Sequence, residues 1–402
     1  MTSPAGIPLG RLGLVASHLI SPDPAAAAHY CEGAAHLQLG GGFFRPESRP
    51  SRDLGVLLAA ELAARGPLRV LDAMAGCGIR ALRYALEGGA EQVWANDADP
   101  DRLPLLETNL GGLPAAGCCL RLTTRTAQQL LADCLLREER FSLLDLDAFG
   151  CPTALIPLAL EAVGLDGVLY LASTDGRSPT GHDRVAAIRR FGASARAHPA
   201  SWELALRLQL GSIARAAWAQ GRGIEPLLAF SEGRTFRTAV RLRRRPATGE
   251  EGQLGLVAHC HSCGDQQVQS LLRLRGWAPC QCPTGQGPAL AVSGPLWIGP
   301  LQHQPTLEAL LGLAAARSSS MDPPSVRLLA RLHADPGLPA RCWPLDDVAR
   351  RTGGGPPRLA ALVKALRAEG YVAAASGVMV GQLRTDAPWD VVLEETAKPR
   401  SC

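Results

Sequence analysis

Acids stand where apolar runs end, the places from which a side chain can reach a bound molecule. Val70-Leu71 runs into Asp72, the run QVWAN leads to Asp97, and FSLLDLDAFG carries Asp145 and Asp147. After Asp72 comes a turn of small residues, AMAGCG at 73–78, and a helical pattern opens at Ile79. Gly76 and Gly78 let the backbone pass close to a ligand, and the helix N-terminus offers free N–H donors. The spacing is not the GxGxxG of dinucleotide binders, and an acid at the strand end repels a pyrophosphate. A ligand with a ribose and a cationic group but no phosphates suits Asp72 better, and S-adenosylmethionine is such a ligand. Asp97, 25 residues further on, can accept both hydroxyls of its ribose. The plainer role for either acid is a helix cap or turn.

Asp147 and Phe149 would then stand beside the ligand's reactive methyl. Purine amines are poor nucleophiles because their lone pair is delocalised into the ring. An enzyme that methylates one must hold the amine in line with the sulfonium and accept the proton it loses. Asp147 is suited to both tasks and Phe149 to stacking on the base, while Asp145, two residues back, points to the same side. Capping of the next helix is the alternative. Upstream, the loop at 43–52 gathers Phe43, Phe44, Arg45, Arg49 and Arg52, which could stack on bases and hold phosphates or simply pin the loop to the domain.

The elements that must position these residues alternate. Strands are expected at 68–72, 91–96, 118–123, 141–146 and 166–172, with helices at 79–88, 101–110, 127–138 and 152–163. That order implies a parallel sheet covered on both faces, with ligands at the carboxyl ends of its strands. A further helix is expected from Asp53, with Asp53 as its N-cap, and a hairpin pairs 224–230 with 235–242. At 402 residues and 47% hydrophobic, the chain can bury a sizeable core. No apolar run approaches the roughly 18 residues of a membrane span, and no signal peptide is evident in the Ala/Pro/Gly-rich first 28 residues. Net charge is only +4, and lysine is nearly absent: 39 of the 41 basic residues are arginine. That skew suits phosphate and base contacts, and equally the codon bias of a GC-rich genome. Twelve cysteines without a secretion signal fit a reducing, cytoplasmic setting with thiols or metal ligands rather than disulfides.

Several stretches together resemble the tRNA (guanine-26-N2) dimethyltransferases. They are EG at 32–33, FFRPESRPSRDL at 43–54, AGCGIRALRYALE at 75–87, NDAD at 96–99, DLDAFGCP at 145–152, STDGRSPTG at 173–181, ELALRLQLGSIARAA at 203–217, GPLWIGPL at 294–301 and RTDAPW at 384–389. The resemblance spans nearly the whole chain, in order. It implies a Rossmann-like, class I S-adenosylmethionine-dependent methyltransferase domain of α/β type, followed by a smaller α+β domain. It also implies methylation, once or twice, of the exocyclic amine of a tRNA guanosine. By this resemblance Arg52 lies on the methionine moiety, Asp97 on the ribose, Asp147 on the target amine, and Phe44 and Phe149 around the guanine. The chain departs from the family at Phe44-Arg45, usually Tyr-Asn, at Ser51, usually Asn, and at Ala148, usually Pro. An acid usually near the adenine is replaced by Ala127-Gln128. Other readings are methylation of a ribosomal-RNA or DNA base amine, or an RNA-binding relative that has lost its chemistry.

Beyond residue 245 the alternation stops. The run RLRRR at 241–245 could touch phosphate or be a solvated strand end. Cys260-x2-Cys263 and Cys280-x-Cys282 match a structural zinc ribbon, although the second pair is one residue short of CxxC. His259 and His261 are substitute ligands, and free thiols in a small hairpin are the alternative. Helices at 325–333, 344–351 and 357–369 followed by YVAAASGVMV resemble a winged helix. The expected organisation is a lead-in over 1–28, a methyltransferase domain over 29–245 and a C-terminal tRNA-binding domain over 246–402, acting as a monomer without a membrane.

Overall fold

Strand and helix alternate through the first half of the chain much as the apolar pattern requires. The computed structural model describes residues 28–280, 282 and 290–398; but for Ala28, the expected lead-in lies outside the described residues. A hairpin of β1 (His29–Glu32) and β2 (Ala35–Gln38) precedes α1 (Arg49–Ala63). Then come β3 (Arg69–Asp72), α2 (Ile79–Leu86), β4 (Gln92–Asn96), α3 (Leu103–Leu110), β5 (Cys119–Thr123), α4 (Ala127–Leu136), β6 (Phe141–Ala148), α5 (Ile156–Ala162) and β7 (Val163–Ser173). Two further helices, α6 (Arg184–Phe191) and α7 (Ser201–Ala219), lead to the hairpin β8 (Gly223–Glu232) and β9 (Thr235–Arg243).

These strands form one seven-stranded sheet in the order β5-β4-β3-β6-β7-β9-β8, parallel from β5 to β7 and antiparallel beyond. Counted within the sheet the order is 3-2-1-4-5-7-6, which is the class I methyltransferase arrangement. The order reverses between β3 and β6, and ligands bind at such a switch point. Alternation along the strands builds a core on each face: Val70, Leu143 and Val168 face one way, and Leu71, Leu144 and Leu169 the other.

The first helix differs from expectation. It starts at Arg49, with Pro50 in its first turn, where the missing N–H costs nothing. Asp53 is therefore one turn inside the helix and fully buried. It pairs with Arg83 at 2.7 Å and accepts the Ser325 hydroxyl at 2.6 Å. Nearly every side of α1 is covered, so each of its buried charges must find a partner. Arg52 pairs with Glu32 and Glu61 with Arg241.

The second half opens with a three-stranded antiparallel sheet of β10 (Leu254–His259), β11 (Gln266–Ser270) and β12 (Ala291–Trp297). The helices α8 (Gln304–Ala316) and α9 (Pro323–His333) follow, and Leu307, Leu310, Leu329 and Leu332 share one apolar cluster with Leu54 and Leu57 of α1. A small unit closes the chain: β13 (Cys342–Pro344), α10 (Leu345–Thr352), α11 (Leu359–Ala368), β14 (Ala373–Ala375), β15 (Gln382–Thr385) and α12 (Trp389–Ala397). Its strands pair in the order β13-β15-β14; of the three helices expected before a wing the first, α9, packs with α1 instead, and the strand expected over YVAAASGVMV covers only Ala373–Ala375. No helix among the described residues is long and apolar enough to cross a membrane.

Arg384 of β15 fastens this last unit to the rest. Its guanidinium, with no exposed surface, donates to Glu203 of α7 at 2.6 and 2.8 Å and to Asp335 at 2.7 and 3.1 Å. Removing it leaves the buried Asp335 without a cation and Glu203 with Arg207 alone, a loss of about 3–5 kcal/mol. Arg384→Met is expected to lower unfolding stability in urea by that amount, whereas an exposed control such as Arg358→Met should change it by less than about 0.5 kcal/mol.

Candidate active site and metal centre

A cavity of about 510 Å³ opens along the carboxyl ends of β3, β4 and β6. On one side the turn after β3 contributes Ala73 to Cys77, and Gly76, at φ +56°, donates its N–H to Asp97 Oδ2 at 2.8 Å. A side chain at Gly76 would meet no neighbouring atom but would force that left-handed backbone. Asp97 Oδ1 accepts the N–H of Asp99 at 3.0 Å, so the carboxylate is fixed while keeping further acceptor capacity toward the cavity.

Asp147 stands opposite, at the end of β6. Its Oδ2 receives Arg237 Nη2 at 2.8 Å and Arg80 Nε at 3.2 Å, and its side chain is 34% exposed. Oδ1 accepts no hydrogen bond from the described residues. Burial works to raise the Asp147 pKa, but Arg237 and then Arg80 outweigh it and bring it down to about 2. Asp145, one pleat earlier on the same face, is fully buried and is not on the cavity wall. It accepts the Tyr84 hydroxyl, and Arg80 and Arg237 lie at 3.4 and 3.6 Å.

Of the residues singled out in the sequence, Phe44, Arg52, Gly76, Asp97, Asp147 and Phe149 line this one cavity. Asp72 and Gly78 do not. Asp72 is fully buried beneath the turn and accepts the Ala81 N–H at 3.2 Å, anchoring the first turn of α2. Burial, with Asp145 beside it, holds its carboxyl well above the usual range. It therefore cannot meet a ribose or a cationic group, because a strand-end side chain here points under the helix rather than over the glycine turn. Gly78 is the residue before α2, at φ +83°, where an added Cβ would press on Leu106 and Leu110. Its need for glycine is conformational and steric.

The aromatic pair also differs. Phe149 (74% exposed) meets Phe43 (70% exposed) edge to face at 5.4 Å, so the rings at the cavity mouth are Phe43 and Phe149. Phe44 points inward, 4.7 Å from Tyr30 and under the Arg52 guanidinium at 5.0 Å. Successive residues of an extended segment face opposite ways, so only one of two adjacent phenylalanines can reach the mouth. Arg52 itself is nearly spent. Four of its five N–H groups go to Glu32, Arg45 O and Pro46 O, leaving one on Nη1 for a ligand. Ala127, at the start of α4, brings a methyl group to the wall where the resemblance places an acid. The arginines sequence reasoning missed, Arg80 and Arg237, had no local signal: they lie far apart in the chain and meet only through the fold.

The four cysteines do come together. Cys260 and Cys263 flank the turn after β10, Cys280 and Cys282 precede β12, and their Sγ atoms all lie within 4.8 Å of one another. A tetrahedral zinc with Zn–S near 2.3 Å needs sulfurs about 3.8 Å apart. The separations of Cys282 and Cys280 from Cys260, 3.5 and 3.7 Å, fit that ion. The short CxC spacing is no obstacle, since both Cys280 and Cys282 bring their sulfurs beside that of Cys260. His259 and His261 are outside this group, and His259 stacks on His198 instead. The knuckle is gripped by the last unit: Trp389 and Trp343 donate to the carbonyls of Cys263 and Gly264 at 2.6 and 2.8 Å. Protein purified without added metal is expected to hold about one zinc per chain, and Cys263→Ser to lose it along with thermal stability. Elemental analysis giving under a tenth of an equivalent, with normal melting, would leave four free thiols.

Comparison with known proteins closes on one family. Residues 38–397 match the family model described as N2,N2-dimethylguanosine tRNA methyltransferase. A curated tRNA (guanine(26)-N(2))-dimethyltransferase of Aeropyrum pernix is 31% identical over 412 residues, covering 98% of each chain. One of Thermococcus kodakarensis is 30% identical over 88% of this chain and 92% of its own. Among solved structures, Trm1 of Pyrococcus horikoshii in complex with S-adenosyl-L-methionine superposes with a TM-score of 0.77 at 25% identity, over 92% of this chain and 99% of that one. With its class I sheet, its cavity at the switch point and this match along nearly its full length, the chain belongs to the N2,N2-dimethylguanosine tRNA methyltransferase family.

Proposed function

We propose that this enzyme methylates the exocyclic N2 amine of a tRNA guanosine, at position 26, once or twice, with S-adenosylmethionine as donor. The observation that carries the reading is the free Oδ1 of Asp147 in the same cavity as the Gly76–Asp97 wall, beneath an exposed pair of aromatic rings. The donor supplies an electrophilic methyl group on a sulfonium. The wall suits it: an ionisable acceptor at Asp97 for ribose hydroxyls, a turn free of side chains at Gly76, the apolar Ala98 and Ala127 for an adenine, and one Arg52 N–H for a carboxylate. The cysteine cluster suits a structural zinc. We keep a cytoplasmic setting and a monomer as the working reading.

Phe43 and Phe149 would clasp the flipped base, and Asp147 Oδ1 would accept an N–H of the amine and turn its lone pair toward the donor. With its pKa near 2, Asp147 is a weak base toward a neutral amine. That is no handicap, because an amine nitrogen that has just gained a methyl group carries positive charge and is far more acidic than any carboxylic acid. The role of the carboxylate is thus to stay ionised, orient the amine and receive the proton late.

Because its pKa is depressed in the folded enzyme, Asp147 remains charged from pH 8 down to about 4. Single-turnover methyl transfer at saturating tRNA is expected to show no acid limb between pH 8 and 5 assignable to this group. A limb near pH 6 that disappears in Asp147→Asn would show that the arginines do not hold it ionised.

The function itself is tested by mass spectrometry of nucleosides from unmodified tRNA incubated with enzyme and donor. N2-methyl- or N2,N2-dimethylguanosine at position 26 is expected. Asp147→Asn should slow its formation by about 10²–10⁴-fold while donor affinity is kept, and Asp97→Ala should weaken donor binding by about tenfold or more. Methylation of a different base, or an Asp147→Asn rate within threefold of wild type, would overturn the assignment.

A further inference from the structure

Most of the described arginines are committed to carboxylates or carbonyls; of those that are not, some, such as Arg244, Arg245, Arg273, Arg275, Arg327 and Arg358, lie elsewhere, and five lie on or near the cavity. Arg45, Arg177, Arg184, Arg189 and Arg234 are exposed, and none of their guanidinium groups makes a hydrogen bond or ion pair among the described residues. They connect through the fold. Arg45 is on the cavity wall beside Phe43, and Arg234 precedes Thr235, which also lines it. Arg234 lies over Gly176, where a Cβ would touch its stem at 3.5 Å, and Arg177 is next in the chain. The segment holding Arg177 begins at Thr174, another wall residue whose hydroxyl accepts the Gly150 N–H at 2.7 Å behind Phe149.

From there α6 continues the line. Asp175 accepts Arg190 Nη1 at 2.6 Å, and the same nitrogen reaches Ser178 Oγ at 3.2 Å. This bond ties the helix to the loop beside the cavity. The outward face of α6 then carries Arg184, Val185, Ile188 and Arg189 at helical spacing, with Val185 58% and Ile188 61% exposed. Two bare aliphatic side chains between unpaired guanidinium groups suit a ribose-phosphate backbone, whose sugars present apolar edges between its charges.

In the candidate phosphate contact read from the sequence, RLRRR at 241–245, two arginines are taken, and the exposed Arg244 and Arg245 lie away from the cavity. Arg241 pairs with Glu61 and Glu225, and Arg243 with Glu225 and Asp166. Since β9 runs antiparallel to β7 and begins at the cavity, its end at Arg243 lies at the opposite edge of the sheet.

We infer that Arg177, Arg184, Arg189 and Arg234 form a phosphate-binding track leading from the cavity mouth along α6, which holds the backbone of the RNA whose base enters the cavity. The inference rests on the tRNA reading above. The exposed helix face supplies charge without sequence preference, and the cavity supplies base identity.

The test is equilibrium binding of unmodified tRNA across a salt series, for wild type, for Arg177→Gln/Arg184→Gln/Arg189→Gln and for Arg244→Gln/Arg245→Gln. Each lost phosphate contact removes about 0.7–0.9 from the slope of log affinity against log salt. The triple variant is expected to bind at least tenfold more weakly near 0.15 M salt and to flatten the slope by about 2, with melting and donor binding kept. The double variant at the far edge should match wild type. Unchanged tRNA affinity in the triple variant would overturn the track, as would weaker binding at an unchanged slope, which signifies a contact other than phosphate. Should wild type fail to methylate any tRNA while the triple variant still loses affinity and slope, the track stands and the substrate assignment falls.

Discussion

Asp147 can be both buried at its root and charged at its tip only because Arg80 and Arg237 stand behind it. Register places Asp145 beside Asp72 on β3 and Tyr170 on β7, and Asp147 beside Ala172, which in turn pairs with Arg237 on β9. Side chains of one rung share a face, so the sheet itself concentrates three carboxyl groups under α1 and α2. Left alone they would repel one another or take up protons. Arg80 answers from α2, reaching Asp147, Asp145 and the Ser51 hydroxyl at once, and Arg237 answers from β9, its guanidinium 4.9 Å from the Tyr170 ring centre. Two guanidinium groups so near each other are unfavourable except where carboxylates lie between them. The acids and the arginines are each other's condition for burial, and neither set can be changed alone.

The same solution recurs wherever parts of the chain meet. Glu32 of β1 takes Arg52 of α1 and Arg83 of α2, Asp53 takes Arg83 and the start of α9, and Arg384 joins α7 to the last unit. Arginine suits such sites because a delocalised fork loses less on leaving water than an ammonium and meets two acceptors at once. An arginine-rich composition therefore has three uses here: scaffold pairs in the interior, a clamp on Asp147, and unpaired groups facing solvent beside the cavity. Composition alone cannot separate them, because the distinction is whether a carboxylate faces each guanidinium.

That is also the boundary of what was legible. The sheet was readable because each strand is a short apolar run ended by a turn, and observed strands lie within a few residues of the expected ones. The Gly76 turn, Asp97 and Asp147 were readable because strand end and turn are local features. Asp72 shares the same local pattern as Asp97, yet one side chain points beneath α2 and the other into the cavity, which only the helix's position decides. Phe43 and Phe44 are chemically alike and adjacent, so which ring reaches Phe149 depends on backbone direction in a loop without periodicity. Asp53 looked like a cap because it precedes an apolar stripe. Its real partners, Arg83 and Ser325, come from 30 and 272 residues away.

The last unit of the chain has its own small core, and its attachment is polar on both sides. Trp343 and Trp389 stack at 5.0 Å with planes 10° apart, and each spends its indole N–H on a carbonyl of the cysteine knuckle. Arg351 adds a bond to Ser262 O of the same turn, while Arg384 holds Glu203 and Asp335 on the far side. A carbonyl is a good acceptor only if its turn is rigid, and a turn with two residues between its thiols is rigid when the thiols share an ion. A zinc at the knuckle would therefore act on the orientation of the last unit without touching the cavity, while the arginine clamp holds Asp147 in the cavity without touching the knuckle. The carboxylate in the cavity and the seating of the last unit are in this way held by separate sets of buried polar bonds, joined through α7 and the sheet it covers.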